Sequence, residues 1–149
     1  MLPYEKIFNR TLGKIDDPKE LHLEVSDLLE IYVERLHEIV GDPRVSRLFT
    51  TIILNDEEQE LEYELVNPMD EIKSDEFVIK LLSLGMVIEW LQPKVDSIMY
   101  TSLMIGGKEE KKILDNHKNM IERLNSLKVE QKKLIRDYDY QYNSYLSGN

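Results

Sequence analysis

Ser74–Pro93 reads "SDEFVIKLLSLGMVIEWLQP", and between 77 and 91 its apolar residues fall on almost every helical face. A helix of that composition is buried all round, so the rest of the chain must wrap it. Ser74 is the candidate N-cap, Asp75 and Glu76 sit in the first turn where the helix dipole favours carboxylates, and Pro93 marks the stop. Gly85 permits close approach of a neighbour, and Trp90 reads as core. Pro93 reads as a helix end in preference to an isomerisation switch.

The segments that would wrap this helix lie on both sides of it. Upstream, Pro3 followed by Tyr4, Ile7, Phe8 and Leu12 predicts a short helix that ends near Gly13 and the "DDP" turn at 16–18. From Lys19, the spacing Leu21, Val25, Leu28, Tyr32, Leu36, Ile39 predicts a second, amphipathic helix stopped by Gly41 and Pro43.

The period then changes. Glu60, Glu62 and Glu64 alternate with Leu61, Tyr63 and Leu65, the pattern of a half-exposed strand, and the β-branched run Thr50–Ile53 is its partner across a turn at Asn55–Gln59. An isolated hairpin is marginal in water, so this one packs on the helices or on another copy of the chain. Its glutamate row faces solvent or an aqueous channel.

Downstream of "SIMYTSLMIGG", Ile113, His117, Met120, Leu124, Leu127, Gln131, Leu134 and Tyr138 alternate spacings of four and three, a heptad seam with two polar interruptions. A helix from Lys108 to Asp137 would be roughly 45 Å long. It either projects to meet a second chain or packs antiparallel on the helix at 19–40. Tyr138, Tyr140 and Tyr142 alternate with polar residues and lead into "NSYLSGN", which predicts an extended arm over 138–149. Tyrosine offers rigid contact area with a polar tip, so such an arm suits docking onto another subunit, with folding back onto its own domain as the alternative. The expected architecture is mainly α: a helical bundle over 1–137 with a long C-terminal helix, one hairpin inserted near 48–66, and an extended C-terminal arm.

Composition narrows function by exclusion. The 149 residues suit one domain, and the absence of cysteine excludes disulfides, a thiol nucleophile and thiolate zinc sites. The N-terminus lacks the build of a signal peptide, and no apolar run approaches the roughly 18 residues that span a bilayer. Net charge is −10, yet unevenly placed: residues 1–107 carry 10 basic and 22 acidic groups, and 108–149 carry 9 and 7.

"HEIVG" at 37–41 begins like a zinc-protease motif but has Gly41 where the second histidine belongs. His22 and His37 are too far apart on one helix to converge on a metal, and the acidic pairs Asp16-Asp17, Glu57-Glu58 and Glu109-Glu110 fall in turns or at a helix start. Gly106-Gly107-Lys108 lacks P-loop spacing, and serine elbows and dinucleotide fingerprints are absent. The expectation is a non-enzyme with no cofactor and no metal.

Three stretches carry a resemblance: "LGMVIEWLQPKVDS" at 84–97, "GGKEEK" at 106–111 and "LIRDYDYQYNSYLSG" at 134–148, joined by the opening "LPYEKIFNRTLGKIDDP". Together they resemble the neck, or head-to-tail connector, proteins of tailed bacteriophages and prophages of Gram-positive bacteria. Lys111, Lys112 and Ile113 depart from the more polar or aromatic residues that follow the glycine-glycine-lysine motif in that family.

The resemblance implies a virion structural protein forming an adaptor ring, typically twelve-fold, between the portal of the capsid and the tail. Its partners would be the portal protein and a tail-proximal neck or stopper protein. DNA would pass only as cargo, no membrane would be involved, and the protein would sit in the virion neck after assembly in the host cytoplasm. On that reading Tyr138, Tyr140, Tyr142, Tyr145 and Leu146 dock onto the portal or a neighbour, and Glu60, Glu62 and Glu64 line the channel. Two other readings stand beside it. One is a soluble helical assembly chaperone or regulator dimerising through the seam of Ile113, Met120, Leu124, Leu127 and Leu134. The other is a DNA binder using Lys108, Lys111, Lys112, Lys118, Lys128, Lys132, Lys133 and Arg136, against which the acidic total weighs.

Overall fold

The computed structural model describes residues 1–15, 20 and 22–142, with side chains described as far as Tyr140. In chain order it runs β1 (Leu2–Pro3), α1 (Tyr4–Leu12), α2 (Val25–Gly41), a single turn α3 (Pro43–Ser46), β2 (Phe49–Asn55), β3 (Glu60–Leu65), α4 (Glu71–Ile105), α5 (Gly107–Asn116) and α6 (Lys118–Tyr142). The fold is mainly helical with a small antiparallel sheet, as the sequence predicts.

α4 is the buried centre, and α1, α2 and α6 all pack on it. From Val78 to Leu91 nearly every side chain is buried, glycine and serine included. A Cβ placed on Gly85 would stand 2.8 Å from Cγ2 of Ile39, so the absence of a side chain there sets how close α2 approaches.

Both ends of α4 differ from the expected Ser74 and Pro93. Asp70 is the N-cap, its carboxylate accepting from the Lys73 N–H at 2.9 Å, while the Ser74 hydroxyl accepts from the Met69 N–H. Two competing caps stood four residues apart, and the carboxylate took the position. Pro93 lies inside the helix and is exposed. Its missing N–H removes one backbone bond, and burial of Leu91 and Val95 on either side outweighs that loss. The helix therefore runs on for three more turns to Ile105.

α1 and α2 close one side of the centre through an aromatic series. Tyr4 and Phe8 have ring centroids 5.6 Å apart, and Phe8 meets Tyr32 edge-on at 5.5 Å. Leu36 and Ile39 complete the inward stripe of α2, whereas Val25 is exposed; Leu21 lies outside the described residues.

The hairpin forms with β3 at the expected residues and β2 lengthened from Thr50–Ile53 to Phe49–Asn55, and it gains a third strand. The order is β1-β3-β2, all antiparallel, with Leu2 opposite Leu61 and Ile52 opposite Tyr63, and an irregularity between Phe49 and Thr51. A strand of two residues, the second of them a proline, carries no periodicity, so β1 has no sequence signal of its own. The sheet rests on the helices through buried Leu61 and Leu65, and the Tyr63 hydroxyl donates to Asp75 on α4.

The C-terminal region departs most from expectation. The single helix over Lys108–Asp137 is two helices, broken at His117, whose φ of −113° leaves the helical range. The heptad seam faces the protein's own α4: Leu124, Gln131 and Tyr138 are buried, and Ile113, Met120, Leu127 and Leu134 are half-buried. The projecting arrangement is thereby overturned, and the antiparallel partner is α4, not α2. Arg123 lies over the Trp90 ring at 5.6 Å and donates to the Lys14 carbonyl, tying α6 to both α4 and the end of α1.

Candidate assembly surfaces

α4 changes character after Val95. Met99, Tyr100, Leu103, Met104 and Ile105 are 41–71% exposed, while Ser102 on the opposite face is buried. Met99 with Leu103 and Tyr100 with Met104 form two adjacent rows at i, i+4, so four of the five make one apolar ridge. Apolar side chains clustered in this way signal a contact surface, where scattered ones would not. Gly106 and Gly107, with φ of 67° and 65°, then reverse the chain. Positive φ at two consecutive positions requires residues without a Cβ penalty, which explains the glycine pair.

α5 then packs back on α4, with Lys108, Lys111 and Lys112 all exposed. In sequence, "SIMYTSLMIGG" carries no motif that marks it as a surface. Its signal was that apolar residues continue on outward positions after the wrapping helices have run out.

The chain's negative charge concentrates at the opposite end. Residues 55–76 hold ten carboxylates and one lysine, a net of −9 against −10 for the whole chain. Glu62 and Glu64 are exposed and Glu60 is half-buried. Their cross-strand partners are Ile53, Thr51 and Asn55, so no cation stands opposite the row within the sheet. The alternation predicted for β3 is thus realised, with one face on the core and one outward.

Cations gather instead where α3 meets α6. Arg44, Arg47, Lys132 and Arg136 line a groove of about 290 Å³ with Ile135 and Asp139. Arg47 pairs with Asp139 at 2.8 Å and Arg44 with Asp42 at 3.0 Å. The Arg44 guanidinium holds the Asp42 carboxyl below the ordinary range.

Three further polar clusters are structural in their contacts. The buried Tyr4 hydroxyl donates to Asp56 at 2.7 Å, and His37 meets the same carboxylate at 2.8 Å, joining β1–α1, α2 and the hairpin turn. Burial and that hydrogen bond push the Tyr4 phenol well above its usual value, while the hydrogen bond from Tyr4, helped by His37, holds the Asp56 carboxyl below its own against the opposing effect of burial. Tyr63 is raised likewise by burial and Asp75. Glu89 on α4 is raised by burial and then by its hydrogen bond to Glu38 on α2. No group of three or more histidine, aspartate or glutamate side chains suited to holding a metal occurs among the described residues. None of their helices is long and apolar enough to cross a membrane.

The tyrosines divide. Helix, not extended chain, continues through Tyr142. Tyr138 is buried, stacked on Phe77 at 4.4 Å, and its hydroxyl both accepts from the Asn67 N–H at 3.0 Å and donates to the Asn67 carbonyl at 2.9 Å. It anchors α6 and is no docking residue, because a phenol that can satisfy both backbone groups of a turn gains more buried than displayed. Tyr140 is exposed and remains available. Tyr145 and Leu146 lie outside the described residues, as does the side chain of Tyr142. Comparison with protein-family models, curated proteins and solved structures finds no match for the chain.

Proposed function

We propose that the chain is a structural subunit of a tailed-phage neck, an adaptor ring that completes the head between portal and tail and lines the DNA exit channel. The observation that carries the reading is the pair of unpartnered surfaces at the two ends of α4. The acidic sheet meets α4 at Asp75 and the apolar ridge centres on Leu103, roughly 40 Å apart along the helix. A freestanding protein has no use for an apolar ridge in solvent, whereas a subunit bounded by neighbours does. The row of Glu60, Glu62 and Glu64 suits a channel wall, since an anionic surface lets a phosphate backbone slide without adhering.

The regulator reading needed a free heptad seam, and that seam is occupied by α4. The connector reading is tested by light scattering of the purified chain, alone and mixed with its cognate portal. The expected result is one chain bound per portal subunit. Truncation after Tyr142, which spares the buried Tyr138, should leave a folded chain with weakened portal binding. A chain that never associates with portals at micromolar concentration refutes the assignment.

A further inference from the structure

The apolar ridge at the end of α4 has a counterpart elsewhere on the same chain. Between α1 and α2 runs a groove of about 400 Å³, lined by Phe8, Leu12, Val25, Leu28, Leu29 and Tyr32. Its lining is mostly apolar, and Glu5 is the one charged side chain among the lining residues. The charged residues next to its lining in sequence are Glu24, Asp27, Glu30, Glu58 and Glu60 against Lys6 and Arg10, an acidic surplus. The ridge presents the matching pattern: Met99, Tyr100, Leu103 and Met104 along one helical face, followed across the Gly106–Gly107 reversal by α5, which packs on α4 and keeps Lys108, Lys111 and Lys112 exposed.

A ridge of apolar helix with cations at its flank and a groove with carboxylates on its rim are complementary in shape class and in charge. The two cannot meet within one molecule. The ridge continues the helix whose earlier turns lie beneath α1 and α2, and α4 is unbroken from Glu71 to Ile105. We infer that the ridge of one copy docks in the α1–α2 groove of a second copy, the lysines of α5 facing the glutamates of the groove rim.

A second copy fits better than an anionic lipid surface. Residues 97–116 carry three lysines but also Glu109, Glu110 and Asp115, a balanced set that gains little from a uniformly anionic plane and more from a patterned protein rim. The inference rests on the ring reading only for how many copies the contact joins; the contact itself is argued from the two surfaces.

The absence of cysteine makes the test direct. One chain carrying Leu103→Cys and a differently tagged chain carrying Asn9→Cys, on the groove, are mixed and treated with a short bismaleimide; both positions are exposed, so both chains fold. The expected product is the mixed dimer, at least tenfold over either same-variant dimer, and it falls at least tenfold when Lys108, Lys111 and Lys112 are all changed to Glu on the ridge partner. A Leu103→Cys dimer that dominates places ridge against ridge and overturns the proposal. So does the absence of any cross-link at high micromolar concentration, as does sedimentation of the wild type, but not a Leu103→Glu variant, with phosphatidylserine vesicles in its place. Portal is absent from all of these mixtures. Cross-linking without portal binding would overturn the neck reading alone, and portal binding without cross-linking would overturn this contact alone.

Discussion

The two halves of α4 are one continuous helix, and both carry apolar clusters, with opposite fates. Val78–Leu91 is enclosed by α1, α2 and α6, whereas Met99–Ile105 stands largely in solvent. Apolar content therefore does not decide burial; the supply of covering elements does. α1 and α2 are 9 and 17 residues long against 35 for α4, and α6 meets α4 between Phe77, under Tyr138, and Trp90, under Arg123; the remainder they leave uncovered is the surface through which assembly is proposed. Substitutions that ignore this boundary should behave the same in both halves, and those that respect it should not.

The largest contrast is expected from truncation. Leu82→Ala removes a fully buried side chain and should cost about 2–5 kcal/mol, whereas Leu103→Ala should stay within about 0.5 kcal/mol. Urea denaturation of the two variants measures both, and equal losses would mean that the ridge is covered in the free protein. Next comes Gly85→Val. Its added atoms collide with Ile39, a buried side chain held at its own base, and overpacking of that kind costs about 1–3 kcal/mol. Gly41, with no atom within 4 Å of a built Cβ, should accept alanine with little loss.

Much of the covered half was legible in sequence because burial imposes a pattern. The all-round apolar run of 77–91, the stripe of Tyr32, Leu36 and Ile39, and the alternation about Tyr63 each report a single local geometry. The uncovered half is less legible, for the same reason: nothing covers the face of Met99, Tyr100, Leu103 and Met104, so no packing partner imposes a pattern that distinguishes it from core. Pro93 misled because its local cost was read without the burial on either side that offsets it. The seam of 113–138 was correctly seen as a packing face, but a heptad names no partner, and α4 is as good a partner as a second chain. The alternation of Tyr138 with Asp139 points it outward, whereas its place as the eighth member of that seam points it inward, and the seam prevails.

A smaller effect separates the two described tyrosines of α6. Tyr138→Phe keeps the stack on Phe77 but leaves the Asn67 N–H and carbonyl without their partner, a cost of about 1–2 kcal/mol in thermal or urea unfolding. Tyr140→Phe, at an exposed position, should leave stability unchanged. If the two variants unfold alike, the anchor assigned to Tyr138 is wrong.

The smallest effect falls at the boundary between the halves, where Glu89 sits one turn before Pro93. It faces Glu38 and Asp42, with Arg35 opposing them; Glu20, Glu34 and Lys94 line the same depression. Burial and the bond to Glu38 raise its folded pKa above the unfolded value, so the folded state holds a proton that the unfolded state releases. Stability from this group is complete below the ordinary glutamate range and is lost as pH rises through the raised value. Glu89→Gln removes that loss. The variant should melt slightly higher than wild type at pH 7, and the advantage should shrink as pH falls toward 4, which melting curves at several pH values would read. An advantage that instead grows with acidity would mean that Arg35 outweighs Glu38 and Asp42 at this position, and that Glu89 belongs to an ion pair spanning the boundary, not to a shared proton.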